Sequence, residues 1–78
     1  MEEIKNRIFQ VMSDVFEIPK DEVTENSSID NIGTWDSLRH LNMILALEEE
    51  FDVTIPDEEV GNLVNYRLIE LVINEQAK

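Results

Sequence analysis

The sequence predicts an all-α fold: a four-helix bundle of three main helices and one short one, with a long loop between the first and second. Three observations point there. Apolar residues recur at helical spacing in three separate windows. No window alternates apolar and polar residues as a half-buried strand does. The 78 residues include no cysteine, so no disulfide framework replaces the core, and a chain of this length has room for only a modest one. A single domain spanning residues 1–78 is expected.

The first helix is expected over Glu2–Phe16. Ile4, Ile8, Val11, Met12 and Val15 follow the i, i+4, i+7, i+8, i+11 pattern of one buried stripe. Glu2 and Glu3 suit the positive end of the helix dipole. The Ile18-Pro19 step stops the helix, because the residue before proline is pushed out of the helical region.

Glu17 to Asp36 reads as a loop rich in Asp, Glu, Asn, Ser and Thr. Loops this long in a compact domain are functional or disordered. Ile18, Val23, Ile29 and Ile32 punctuate it, which predicts a loop pinned across the core. It ends in Gly33-Thr34-Trp35-Asp36-Ser37-Leu38. Asp36 is placed to cap the next helix, leaving Ser37 in its first turn. Free backbone N–H groups and the dipole both favour an anion there, so a serine at this position is suited to carry a phosphate.

The second helix is expected from Ser37 to Glu50 or Phe51. With Ser37 at zero and ~100° per residue, Met43, Ile44, Leu47 and Phe51 cluster near ~295°, the predicted core face. Leu38, Leu41 and Leu45 form a separate stripe beside Ser37 and Glu48. So small a domain needs to bury only one stripe, so the leucines, edged by Glu48 and Glu49, read as a docking surface rather than a second buried face or a dimer contact. His40 falls on the core side, as a hydrogen-bonded buried or rim histidine rather than a general base.

Ile55-Pro56-Asp57-Glu58-Glu59 opens a third helix with acidic residues in its first turn, and Gly61 and Asn62 keep it short. Asn65 is placed to cap the last helix, whose buried stripe is Tyr66, Ile69, Val72 and Ile73. Asn74 to Lys78 is expected to fray.

Eighteen acidic residues against six basic ones give a net charge of −12. Such a surface disfavours nucleic acid, whose phosphates are bound by Lys and Arg, and favours basic protein surfaces. No apolar run approaches the ~20 residues of a membrane span. Met1-Glu2-Glu3-Ile4-Lys5 lacks the start of a signal peptide, so a cytoplasmic location is expected. Counted from Asp21 or Asp30, the acids do not make a calcium loop. With one His and no Cys, no nucleophile–base pair is discernible, and no enzyme and no resident metal are expected.

Three segments together carry a resemblance: Asp36-Ser37-Leu38, Ala46-Leu47-Glu48-Glu49-Glu50-Phe51, and Ile55-Pro56-Asp57-Glu58-Glu59. In this order and spacing the chain resembles a small, freestanding acyl carrier protein over nearly its whole length. The resemblance implies that a phosphopantetheinyl transferase attaches 4′-phosphopantetheine from coenzyme A to Ser37, with Asp36 and Leu38 flanking the attachment. The arm's thiol would hold acyl groups as thioesters, supplying the sulfur that the chain itself lacks. Leu41, Leu45, Glu48 and Glu49, with Leu38, would form the recognition face. The expected partners are an acyl ligase or acyltransferase and other pathway enzymes with basic docking surfaces, met by a monomer. Met43, Ile44, Leu47 and Phe51 would line the core that shelters an acyl chain.

The chain departs from the family's housekeeping members at three positions. Arg39 and Asn42 stand where acidic residues are usual, and Trp35 stands where a small residue is common. Trp35 is read as packing the loop end rather than shielding the arm. The departures point to a dedicated lipid, polysaccharide, polyketide or related pathway rather than ordinary fatty acid synthesis. The alternatives are an aminoacyl carrier loaded by an adenylating ligase and an unmodified interaction module of the same fold.

Overall fold

A computed structural model describes residues 2–76 of the chain. Helix α1 spans Glu2–Phe16, α2 Ser37–Phe51, α3 Asp57–Val60 and α4 Tyr66–Gln76. The fold is all-α, with the expected three main helices and one short one. A 3-10 turn over Lys20–Glu22, absent from the sequence reading, lies within the long loop.

The three main helices close around one core. Ile8, Val11, Met12 and Phe16 enter it from α1, Met43, Ile44 and Leu47 from α2, and Tyr66, Ile69, Val72 and Ile73 from α4. Ile4 and Val15, at the ends of the predicted α1 stripe, are only half-buried. Phe51 is a correction to the predicted core face. It is half-buried at the rim, with the Arg7 guanidinium 4.3 Å from its ring centroid.

Helices α1 and α2 run antiparallel, and an arginine straps each end of the pair. Arg7 of α1 donates to the Glu50 carboxylate at 2.8 Å and to the Glu50 carbonyl at the end of α2. Arg39 of α2 donates to the Val15 carbonyl at the end of α1, at 2.9 Å, with the Glu17 carboxylate 3.5 Å away. Both cations therefore sit at a negative helix C-terminus, satisfying a carbonyl that has no partner within its helix.

Both helices end through a left-handed residue that is not glycine. At Glu17 φ is 57°, and the Ile18 N–H returns to the Ser13 carbonyl at 3.2 Å. At Asp52 φ is 54°, and the Val53 N–H returns to the Glu48 carbonyl at 3.1 Å. This wrapping closes off the last turn of each helix, and Pro19 prevents α1 from continuing.

The long loop is pinned, though not by every residue predicted. Val23 and Ile32 are buried and Ile18 is half-buried, but Ile29 is 44% exposed. Ile29 opens a turn in which the Asn31 and Ile32 N–H groups both return to the Ser28 carbonyl, at 3.1 and 3.0 Å. The turn leaves Ile29 outside and brings Ile32 back into the core. The Ile29 backbone still serves, donating to the Val64 carbonyl at 3.0 Å beside a Ser28–Asn65 bridge. That bridge is the one sheet-like pairing among the described residues.

Helix α3 follows Ile55, whose N–H donates to the Glu48 carboxylate at 2.8 Å. The Asn65 side chain caps α4 as expected, accepting the Leu68 N–H at 2.9 Å. Helix α4 does not fray at Asn74. It continues to Gln76, because neither Gly nor Pro interrupts Asn74-Glu75-Gln76. Ala77 and Lys78, the rest of the expected frayed tail, lie outside the described residues.

Tyr66 gives the fold an alkaline limit. Its ring is buried edge-on to Phe9, with centroids 5.0 Å apart, and its hydroxyl donates to the Glu70 carboxylate at 2.9 Å. Burial, and then the hydrogen bond to Glu70, raise its pKa above the ordinary tyrosine value of 10.0. The unfolded chain gives up this proton near pH ~10 and the folded chain holds it, so the contribution is complete below that pH and is lost as pH rises. Thermal melts between neutral pH and about pH 11 should show a fall in Tm above pH ~10 that Tyr66→Phe reduces. An equal fall in the variant would assign the alkaline loss to other groups.

Candidate functional site

The loop that precedes α2 is fixed before it reaches Ser37. The Thr34 hydroxyl donates to the Phe16 carbonyl at 2.7 Å, and the Trp35 N–H donates to the Ile32 carbonyl at 3.1 Å. The Trp35 indole is 5% exposed and stacks on Phe16, with ring centroids 4.7 Å apart. Trp35 thus packs the loop end, as predicted. Asp36 follows in an extended conformation, and its carboxylate accepts the Arg39 N–H at 2.8 Å. This is the predicted N-cap, and it makes Ser37 the first residue of α2. Ser37 is exposed.

The leucine stripe lies on the same exposed side. Leu38, Leu41 and Leu45 are 69%, 54% and 63% exposed, while Met43, Ile44 and Leu47 face the core. The two-stripe reading of α2 therefore matches its placement. Ile29 adds an exposed apolar residue across from Ser37, in a groove of about 340 Å³ that also takes in His40, Leu41, Gly61 and Val64. A second groove of about 390 Å³ runs on between α2 and α3, past Ile44, Leu45, Ile55 and Val60.

Charge is unevenly placed around these grooves. Glu49, Glu50, Asp57 and Glu58 are exposed at the far end of α2 and on α3. Glu48 is half-buried and spends its carboxylate on the Ile55 N–H, so it shapes the α2–α3 turn. Asn42 is exposed among the leucines. Arg39 is turned away toward α1, so its guanidinium does not point into the groove beside Ser37.

His40 is half-buried, with both ring nitrogens engaged, as the sequence reading expected of a rim histidine. The Trp35 indole N–H donates to its Nδ1 at 3.1 Å, and its Nε2 lies 2.7 Å from the Val60 carbonyl. Among the described residues, no cluster of His, Cys, Asp or Glu is arranged to hold a metal. None of the described helices is long and apolar enough to cross a membrane.

The family described as the phosphopantetheine attachment site matches residues 6–69, a span that includes α2, α3 and the exposed serine. The chain belongs to that family. It is 42% identical to the acyl carrier protein of Lactobacillus acidophilus, over 83% of this chain and 89% of that one. It is also 36% identical to polyketide-8 synthase acyl carrier protein 1 of Streptomyces avermitilis, over 95% of this chain and 88% of that one. The prosthetic group of this phosphopantetheine carrier is 4′-phosphopantetheine, and the chain is a carrier rather than an enzyme.

The residues present fit such a group. A hydroxyl at the first position of a capped fifteen-residue helix is open to solvent, and an apolar groove begins beside it. A phosphate there would meet the positive end of the dipole and the first-turn N–H groups that Asp36 does not cap. Ile29, Gly61 and Val64, which complete the carrier's groove, were not singled out as site residues from the sequence. They come from the two loops that the Ser28–Asn65 bridge joins, and no local pattern marks that pairing.

Proposed function

We propose that this protein is an acyl carrier whose 4′-phosphopantetheine is attached to the Ser37 hydroxyl by a phosphopantetheinyl transferase. The whole chain, residues 1–78, would act as one cytoplasmic, monomeric domain. The observation that carries the reading is the exposed Ser37 hydroxyl at the capped start of α2, beside an apolar groove and within the family match. The arm, when attached, supplies a thiol on which partner enzymes elongate, transfer or reduce an acyl group. Asp36 fixes the helix start, and Trp35 and Thr34 hold the preceding loop, so the hydroxyl is presented at one position.

Leu41 and Leu45, with Leu38, supply the apolar part of the recognition face, and the exposed Glu49 its acidic edge, beside the half-buried Glu48 that holds the α2–α3 turn. The partners are an acyl ligase or acyltransferase and other pathway enzymes with basic docking surfaces. The pathway is a dedicated one, in lipid, polysaccharide, polyketide or related synthesis. Support comes from Arg39 and Asn42 at usually acidic positions, and from the polyketide relative at 36% identity.

Incubation with coenzyme A and a broad-specificity phosphopantetheinyl transferase, followed by intact mass, tests the reading. Wild-type protein should gain one phosphopantetheine and Ser37→Ala none. No gain by the wild type would leave an interaction module of the same fold. Equal gain by Ser37→Ala would move the attachment elsewhere. Loading by an adenylating ligase with an amino acid in place of an acyl group would identify an aminoacyl carrier.

A further inference from the structure

The two grooves lie end to end along α2, the first facing the loop after α3 and the second facing α3. On the α2 wall, the first groove uses Ser37, His40 and Leu41, and the second begins again at Leu41 and continues through Ile44 and Leu45. On the opposite wall, the first uses Gly61 and Val64, and the second Val60 and Ile55. On the α2 wall the two grooves meet at Leu41, the residue after His40, and on the other wall they change between Gly61 and Val60. The 2.7 Å contact from His40 Nε2 to the Val60 carbonyl crosses between the walls at that boundary.

This tie is well supported. Nδ1 of His40 accepts the indole N–H of Trp35, which assigns the ring proton to Nε2 and makes Nε2 the donor to Val60. Trp35 is held in turn by its stack on the fully buried Phe16. Breaking the tie leaves a carbonyl on one wall and disturbs an N–H···N bond on the other.

Resting on the carrier reading, we propose that His40 is a chain-length-determining residue. An acyl group that folds back from the Ser37 arm enters the first groove, where apolar burial favours it. The groove, of about 340 Å³, is shared with the end of the arm. A short acyl chain fits there. A long one reaches the second groove only by parting His40 from Val60, and otherwise leaves its distal methylenes in water. The substrate class is therefore short acyl groups.

The test uses butyryl- and dodecanoyl-coenzyme A with a broad-specificity phosphopantetheinyl transferase, so that each acyl arm is installed directly. Backbone amide shifts are then compared with those of the unacylated holo-protein. In the wild type, both chains should shift Gly61 and Val64 and leave Ile44 and Ile55 in place. In His40→Ala, the dodecanoyl chain should also shift Ile44 and Ile55, and its thioester should be cleaved by hydroxylamine several-fold more slowly than on the wild type. His40→Gln, whose side-chain amide can donate to the Val60 carbonyl, should behave as the wild type. Wild-type Ile44 and Ile55 shifts with dodecanoyl, or unmoved Gly61 and Val64 with both chains, would overturn the proposal. The wild-type comparison decides even if His40→Ala does not fold. Absence of any mass gain would instead count against the carrier reading, before a shift is measured.

Discussion

Phe16→Ala should destabilise the protein by about 3–5 kcal/mol, the usual cost of emptying a buried aromatic site. Phe16 is fully buried at the last position of α1, and its ring supports Trp35. At ~0.05–0.15 kcal/mol per residue, a domain of this length has about 4–12 kcal/mol in total, so the change removes a large share of it. Urea unfolding followed by helical circular dichroism measures the loss. The effect should also reach the attachment site, because Trp35 would lose its stacking partner while its backbone stayed tied to Ile32. A loss below about 1 kcal/mol would mean that the α1–loop junction is loosely packed and that Ser37 is presented by the helix cap alone.

Leu41→Asp should do the reverse, leaving the fold intact while impairing function. Leu41 is 54% exposed and lies where the two grooves meet. Exposed substitutions of this kind usually alter stability by no more than about 0.5 kcal/mol. Losing a buried leucine contact at a partner interface, with a charge in its place, should weaken productive docking by about 2–3 kcal/mol, or roughly 30- to 150-fold. The kcat/KM of the transferase for wild-type and variant carrier measures the effect, with circular dichroism as the control for folding. An unchanged kcat/KM would remove Leu41 from the transferase's recognition face. Unfolding would place it in the core.

Much of this architecture is legible from periodicity. The stripe of α4 and the core side of α2 up to Leu47 follow from 3.6-residue spacing, because each helix buries one face. Asp36 and Asn65 are legible as caps because capping is a short-range bond between a side chain and an N–H three residues on. His40 is legible as a rim residue from its angle on the helix, but neither of its partners is. Residues that act across the chain leave no local signal. Arg39 finds the Val15 carbonyl twenty-four positions back, and Glu48 finds the Ile55 N–H around a turn. Ile29 fails as an anchor because hydrophobic punctuation in an aperiodic loop says which residues are apolar and not which way the chain turns beneath them. Phe51 packs against the core only from its rim for a related reason: it ends α2, where the helix runs past the core to its edge.

Helix α3 has a consequence for how the molecule moves. None of its four residues is buried, while Ile55 before it and Leu63 after it are. It is a short span hung between two apolar pins, with the Val60 carbonyl also tied to His40. Such a segment can unwind between its pins without opening the core, at a cost well below that of global unfolding. The α1, α2 and α4 helices form a deeper cooperative unit, and the start of α2 belongs to it. In the groove past Leu41 the α2 wall is therefore stiff and the α3 wall soft, so rearrangement there can occur while Ser37 stays in place.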